Sequence, residues 1–221
     1  MRERQTTLTH ELLDYLESNF TAEDNFLAEL ASEAWENEKI PQINITGYQA
    51  NFLQFLVKSI NAKKLLEIGT LAGYSAISLI RAAGEDAKLI TIEKEAKHCE
   101  FAKNKIKQVG LDNQIEVVNA NALSYLQTYK PDFLFDFIFI DADKSRYYKY
   151  LNVLTPFLRT GGLFVADNAF AFGFLLDAAP EKNPDNFKSL LNYHKHLLSL
   201  ENYFTTLVPI GDGLLVSIKL K

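Results

Sequence analysis

The chain contains, at residues 65–75, the sequence LLEIGTLAGYS. Its apolar start predicts a short buried strand, and Gly69 and Gly73 predict a tight turn into a helix. Ligands of open α/β sheets bind at the carboxyl ends of the strands, where such a turn lies. Gly69 would let the backbone approach a ligand, Gly73 would let the helix pack closely, and Ser75 would cap that helix. The stretch therefore predicts a strand, a ligand-binding turn and a helix.

The rest of the chain repeats this alternation. Helices are predicted to start near Ser75, Ala96, Ala122 and Tyr147 and to cover about 185–200. Only five residues separate the last two apolar runs, too few for a parallel crossover, so they form an antiparallel hairpin. The pattern predicts a seven-stranded, mostly parallel sheet with helices on both faces, which resembles the class I methyltransferase version of the Rossmann-like fold. The apolar runs are Lys64–Ile68, Leu89–Ile92, Ile115–Val118, Phe137–Ile140, Leu163–Ala166, Tyr203–Val208 and Leu214–Leu220.

Helical spacing dominates residues 1–60. Helices are predicted over 8–18, after Thr21 as an N-cap with Asp24 three residues on, and over 49–59. We therefore expect one domain, 1–221, made of a helical extension (1–60) and a catalytic core (61–221). The helices of 8–38 are expected to cover the substrate side or join a dimer interface, and their removal is expected to spare the fold.

Composition excludes several classes of protein. The 221 residues are 48% hydrophobic and 23% charged, as in ordinary globular domains rather than disordered chains or coiled coils. A net charge of −5 gives no global basic field, which disfavours nucleic acid without excluding it. The single cysteine, Cys99, excludes an intrachain disulfide. The first residues lack the apolar core of a signal peptide and no stretch suits a bilayer, so a cytoplasmic location is expected.

Acidic and amide residues at strand ends indicate the cofactor. The G-x-x-x-G spacing and the acid Glu67 argue against NAD, because a carboxylate repels pyrophosphate but suits the ammonium of a methionine moiety. Glu67 could instead only anchor nearby backbone amides. Glu93 ends the second strand and could accept both ribose hydroxyls, or be an exposed acid before a charged helix. Asn121 and Ala122 follow the third strand, near the expected adenine edge, although an asparagine there is also a common helix cap.

A second group of polar residues follows the fourth and fifth strands. If these strands are neighbours, about 4.8 Å apart, Asp141, Asp167 and Asn168 converge on one point. Two carboxylates and an amide oxygen favour Mg²⁺, Ca²⁺ or Mn²⁺ over zinc. Lys144, beside a cation in a partly dry cleft, should have a lowered pKa and could act as a general base. Strand-end caps, an ordinary turn and a surface lysine are the alternatives.

Taken together, four segments resemble the cation-dependent O-methyltransferases, which include catechol and caffeoyl-coenzyme A O-methyltransferases and bacterial relatives. These segments are 67–75, 141–150, 161–168 and 209–214, within a resemblance that runs from about Pro41 onward. The resemblance implies S-adenosylmethionine as donor, a divalent cation, usually Mg²⁺, and a homodimer. It places the catalytic lysine at Lys144 and the metal ligands at Asp141, Asp167 and Asn168. Its cofactor-binding positions are Glu67, Gly69, Thr70, Gly73, Ser75, Glu93, Asn121, Ala122 and Asp141.

Two acceptors fit these residues. The leading hypothesis is O-methylation of a vicinal dihydroxy aromatic, whose two oxygens would chelate the cation. The alternative is a hydroxyuridine in transfer RNA, which some bacterial relatives methylate. A non-catalytic binder of S-adenosylmethionine is disfavoured by the intact set of acids, amide and lysine. A basic patch for RNA would draw on Lys144, Arg146, Lys149, Lys182, Lys188 and Lys195.

Three departures from the family pattern bear on the acceptor. The segment 169–173, AFAFG, stands where many members carry an aliphatic residue followed by Leu-Trp. His194 takes the place of a family asparagine, and Asn202 stands near an arginine of the plant enzymes. These differences argue against a coenzyme A ester, and His194 is expected in the substrate pocket or on a helix surface rather than as a metal ligand.

Overall fold

The computed structural model describes residues 6–175 and 184–221. One sheet lies between two layers of helices. The helices are α1 (His10–Asn19), α2 (Asn25–Glu38), α3 (Gly47–Ser59), α4 (Tyr74–Ala83), α5 (Ala96–Gln108), α6 (Ala122–Thr128), α7 (Tyr147–Leu154) and α8 (Pro184–Ser199). The strands are β1 (Lys64–Ile68), β2 (Lys88–Glu93), β3 (Ile115–Asn119), β4 (Phe135–Ile140), β5 (Leu158–Ala166), β6 (Tyr203–Val208) and β7 (Leu214–Lys219).

The sheet has seven strands in the order β3-β2-β1-β4-β5-β7-β6. The first five are parallel, and β7 pairs antiparallel with both β5 and β6. The predicted fold class is therefore confirmed, including the C-terminal hairpin. Because β4 and β5 are neighbours, with Ile140 opposite Ala166, the residues that follow them leave the sheet side by side.

Alternate residues of the strands point to opposite layers. On β1, Leu65 packs in the cluster that contains α2, α3, α4 and α5, whereas Leu66 packs in the cluster that contains α6, α7 and α8. Both side chains are buried, as expected for parallel strands covered on both faces. Helices α2 and α3 thus share a core layer with α4, and this places α3 against the helix of the ligand-binding turn.

Two predicted boundaries differ from the structure by three residues or more. Asp24 caps α2, with its Oδ1 accepting a hydrogen bond from the Leu27 amide at 2.9 Å, whereas the predicted cap Thr21 accepts from the Glu23 amide at 3.0 Å. Either residue type can cap a helix, so composition did not separate them. Strand β5 also starts five residues earlier than predicted, at Leu158 rather than Leu163, because the strand continues through a glycine pair that suggests a turn.

Among the described residues, no helix is both long and apolar enough to cross a membrane.

Candidate active site

The carboxyl ends of the parallel strands open into a cavity of about 560 Å³. This volume lies within the usual range of small-molecule sites. Two residues of the predicted site, Glu67 and Gly73, lie outside the cavity lining. The ten that line it are Gly69, Thr70, Ser75, Glu93, Asn121, Ala122, Asp141, Lys144, Asp167 and Asn168.

The glycine turn is shaped by contacts within the protein. Gly69 has a φ of +100°, and a Cβ there would lie 2.0 Å from the carbonyl oxygen of Asp141. Its freedom therefore serves the packing of β1 on the strand-end loop as much as the approach of a ligand. Gly73 has the predicted packing role, since a Cβ there would lie 3.3 Å from that of Ala102. The predicted cap was wrong: Gly73 occupies the N-cap of α4, and Ser75 is its second residue.

Glu67 is fully buried beneath the turn, contrary to the expectation of direct contact with the donor. Its Oε2 accepts a hydrogen bond from Thr91 Oγ1 at 2.6 Å, and that hydroxyl lies 2.6 Å from Thr70 Oγ1. Burial raises the pKa of Glu67 to about 8, outweighing the hydrogen bonds from Ser75 and Thr91. The carboxyl is therefore connected to the cavity lining by hydrogen bonds through Thr91 to Thr70.

We expect a Glu67→Gln variant to lose less stability than the wild type between about pH 5 and pH 8. The pKa of Glu67 is about 8 in the fold against an ordinary 4.5, so the folded protein keeps a proton that the unfolded chain releases. The stability linked to that proton is complete below about pH 4.5 and disappears as the pH rises through about 8. Urea unfolding at several pH values measures the difference. Glu116→Gln, an exposed strand position, should follow the wild type; identical pH profiles for wild type and Glu67→Gln would contradict the buried, protonated carboxyl.

Glu93 and Asn121 lie where the sequence placed them, on the cavity wall. Both carboxylate oxygens of Glu93 accept backbone hydrogen bonds, Oε2 from Leu71 and Oε1 from Glu95, each at 3.0 Å. Each oxygen keeps a second lone pair for a ribose hydroxyl. Asn121 also caps α6, because its side chain accepts a hydrogen bond from the Ser124 amide at 3.2 Å. The residue therefore both caps a helix and lines the cavity.

Asp141, Asp167 and Asn168 come together as predicted. The amide of Asp141 donates to Ile68 at 2.9 Å and that of Asp167 to Ile140 at 3.0 Å, which continues the parallel pairing beyond the strand ends. Both carboxylates and the amide then line the cavity. No three side chains drawn from His, Cys, Asp and Glu form a metal-binding group within 6–175 and 184–221, so the candidate cation site depends on the amide as its third ligand.

The electrostatics of this group suit a cation. Burial and then the neighbouring Asp141 carboxylate raise the pKa of Asp167, so the site has more negative charge than its surroundings stabilise. Lys144 supplies partial compensation, because its Nζ donates to Asp141 Oδ1 at 2.7 Å. Oxygen donors with a surplus of negative charge are the environment in which hard divalent ions bind. The residues present therefore fit a divalent cation.

The sequence analysis missed several residues that line the cavity, and one, Gln49, that supports it from outside the lining. The loop 43–45 lines the cavity, so the chain between α2 and α3, rather than the helices of 8–38, contributes to its wall. Tyr74 also lines the cavity, and its hydroxyl donates to Glu23 Oε2 at 2.9 Å. Gln49 donates from Nε2 to Asp167 Oδ1 at 2.8 Å. A buried glutamine on an otherwise apolar helix face was the available signal.

Of the positions that depart from the family pattern, Phe172 lines the cavity and His194 does not. Phe172 has a φ of +58° and is 57% exposed at the cavity, so it presents an aromatic ring on the wall. His194 is buried on α8, where its Nε2 has no hydrogen-bond partner among the described residues, and burial lowers its pKa. It does not line the cavity. Lys182 of the proposed basic patch lies outside the described residues.

Known proteins resemble this chain along most of its length. The O-methyltransferase family model matches residues 17–220. A catechol O-methyltransferase of Niastella koreensis is 37% identical, covering 76% of this chain and 73% of that protein. A catechol O-methyltransferase of Mycobacterium tuberculosis is 36% identical, covering 73% of each. The O-methyltransferase of Bacillus cereus, solved in complex with SAH, superposes with a TM-score of 0.85 at 27% identity over 93% of this chain and 96% of that one.

A strand-end cavity with a glycine turn and an acid as the last residue of β2 defines a nucleoside-binding Rossmann-like protein, and the family match identifies which kind of protein it is. The chain belongs to the O-methyltransferase family and is an S-adenosylmethionine-dependent O-methyltransferase.

Proposed function

We propose that this enzyme transfers the methyl group of S-adenosylmethionine to a hydroxyl of a vicinal dihydroxy aromatic, with a divalent cation. The observation that carries the proposal is the convergence of two carboxylates, an amide and a lysine on one wall of the cavity. The names of the catechol O-methyltransferases from Niastella koreensis and Mycobacterium tuberculosis support a catechol-like acceptor.

The donor would occupy the side of the cavity formed by the glycine turn. There Gly69, Thr70 and Ser75 face the methionine part, and Glu93 offers lone pairs to the ribose. Asn121 and Ala122 would border the adenine. Glu67 and Gly73 support this side from beneath, through the threonine network and the packing of α4 on Ala102.

The cation would be held by Asp141, Asp167 and Asn168, with Mg²⁺ favoured over Ca²⁺ and Mn²⁺. When bound, it would polarise the acceptor hydroxyl and lower its pKa. In its uncharged amine form, Lys144 would take the proton of that hydroxyl at Nζ and become the ammonium, and the hydrogen bond to Asp141 holds Nζ at the cavity wall. The remaining contribution of the protein is positioning, because donor and acceptor must meet in line.

A small aromatic acceptor is favoured over transfer RNA by the charges around the cavity. Three lysine and arginine side chains line the cavity, and each faces a carboxylate: Lys144 pairs with Asp141 at 2.7 Å, Arg146 with Asp143 at 3.0 Å and Lys94 with Glu95 at 3.6 Å. Phe172 adds an aromatic surface at the same opening. An aromatic ring can stack against that side chain.

We also propose a cytoplasmic homodimer. The segment around α1 leaves Leu8, Leu13, Tyr15 and Phe20 between 39% and 55% exposed, and Phe55 of α3 is 65% exposed. Apolar side chains concentrated on adjoining helices mark a protein-binding surface. A second copy of the chain would cover it.

The function is tested by methyl transfer from labelled S-adenosylmethionine to a catechol panel and to bulk transfer RNA, each with Mg²⁺ and with a chelator. We expect chelator-sensitive labelling of a catechol. Lys144→Met should lower that rate by about 100-fold or more, the range of general-base contributions. Lys149→Met, an exposed lysine five residues further on, serves as the matched control. Labelling of RNA alone would overturn the small-molecule proposal, and labelling that ignores the chelator would overturn the cation.

A further inference from the structure

We propose that Gln49 and Asp212 are positioning residues that orient Asp167 and Asn168 so that their free oxygens face the cation. The inference rests on the proposed cation site and adds two residues that touch neither donor nor acceptor. Neither residue lines the cavity. Each forms a hydrogen bond to one of the two ligands from an element distant in the chain.

Gln49 fixes one oxygen of Asp167. Its side chain is 3% exposed, and its Nε2 donates to Asp167 Oδ1 at 2.8 Å. The same oxygen accepts a hydrogen bond from the backbone amide of Asn168 at 2.7 Å. Both lone pairs of Oδ1 are therefore engaged, while Oδ2 has no hydrogen bond to any described residue. The carboxylate is left with one oxygen to give to a cation.

The turn between β6 and β7 leaves room for this glutamine. Gly211 has a φ of +58°, and a Cβ there would lie 2.6 Å from Gln49 Oε1. Any larger residue would therefore push the amide away from Asp167. The absence of a side chain at Gly211 therefore leaves the space that the amide of Gln49 occupies.

Asp212 determines the orientation of the side-chain amide of Asn168. Its Oδ2 accepts from Asn168 Nδ2 at 3.1 Å. A carboxylate only accepts hydrogen bonds, so it selects the nitrogen of the amide and leaves the oxygen for the opposite side. A hard cation binds the oxygen and not the nitrogen. Without Asp212, either orientation of the amide would be open.

Asp212 also connects this ligand to the aromatic wall. The same Oδ2 accepts from the Phe172 amide at 2.8 Å. Asn168 and Phe172 both have left-handed backbone, with φ near +58°, which non-glycine residues adopt only when their surroundings hold them there. One carboxylate thus supports the third metal ligand and the segment that borders the acceptor.

Residues that form hydrogen bonds to metal ligands have a measurable effect on metal affinity. Removing a group that orients a metal ligand typically costs about 10- to 100-fold in metal affinity. A role limited to packing would instead lower stability while leaving metal affinity unchanged. The two roles are separable because the side-chain hydrogen bonds of Gln49 and Asp212 go to the candidate cation ligands and Phe172, and not to the residues of the donor side.

The test measures Mn²⁺ binding to the full-length chain by the electron paramagnetic resonance signal of free Mn²⁺. Gln49→Leu and Asp212→Ala should raise the dissociation constant about 10- to 100-fold. Binding of S-adenosylmethionine without metal, measured by calorimetry, should stay within about twofold. Asp212→Asn keeps an acceptor oxygen and should recover most of the Mn²⁺ affinity.

Gln54→Leu is the matched control, because Gln54 lies on the same helix and donates to Ser78 Oγ at 2.9 Å instead. Unchanged Mn²⁺ affinity in Gln49→Leu or Asp212→Ala that still binds S-adenosylmethionine would overturn the positioning role. Equal weakening in Gln54→Leu would do so as well, by showing a general effect of α3. A wild-type protein that binds no Mn²⁺ would refute the cation site itself, and the inference with it.

Discussion

Replacing Asp141 by alanine is expected to lower methyl transfer by about a thousandfold or more, because a bound cation contributes several kcal/mol to the transition state. Binding of S-adenosylmethionine should survive. The close contact between the glycine turn and residue 141 is made by the backbone carbonyl oxygen, which alanine keeps. The measurement combines the rate at saturating donor with calorimetric binding of S-adenosylmethionine.

The wild type treated with a chelator is the internal control for Asp141→Ala. The chelated wild type and the variant should have similar residual rates, and adding Mg²⁺ should restore only the wild type. A variant that stays fully active and responds to Mg²⁺ would refute the metal assignment. Loss of donor binding would instead place the Asp141 side chain in the donor site.

Shortening the chain from the amino terminus should have two separable effects. Helix α1 buries no residue, so removal of residues 1–20 should leave the fold intact and turn the proposed dimer into a monomer. Helix α2 buries Leu27, Leu30 and Ala34 in the core that also holds Leu65. Each large side chain lost from a core costs about 2–5 kcal/mol, against a total stability of about 5–15 kcal/mol.

Removal of residues 1–40 is therefore expected to unfold the protein at room temperature, which revises the expectation that the helices of 8–38 are dispensable for folding. Light scattering gives the mass of the shorter truncation, and circular dichroism melting gives the stability of both. If the protein lacking residues 1–20 is still a dimer, the dimer interface lies elsewhere on the surface. A cooperative, wild-type-like melt without 1–40 would contradict the packing of α2.

The sheet and the convergence of the candidate cation ligands were predictable because local patterns determine them. Alternating burial fixes the strands, and polar residues directly after β4 and β5 had to meet once these strands were neighbours. The expected contact of Glu67 with the donor was wrong because the sequence shows that Glu67 lies near the end of a strand but not which layer covers it. The fold places the carboxyl beneath the turn, where Thr91 donates to it.

Contacts between residues that are far apart in the chain could not be predicted from the sequence. Gln49 and Asp167 are 118 positions apart, and no local periodicity reports a hydrogen bond between them. Asp212 lies in a turn whose glycines predicted a hairpin but gave no information about its acceptor role. Such partners become visible only when the order of the strands is known, because the hairpin lies beside β5.

That order also bears on how the protein forms during synthesis. Strand β7 lies between β5 and β6, although it follows both in the chain. Until the ribosome has released both strands of the hairpin, the apolar stretch 163–166 of β5 has an unpaired edge. Exposed edges of this kind recruit other strands and promote aggregation. The nascent enzyme should therefore depend most on chaperones after β5 has emerged and before β7 has, an interval in which the proposed cation site also lacks the support of Asp212.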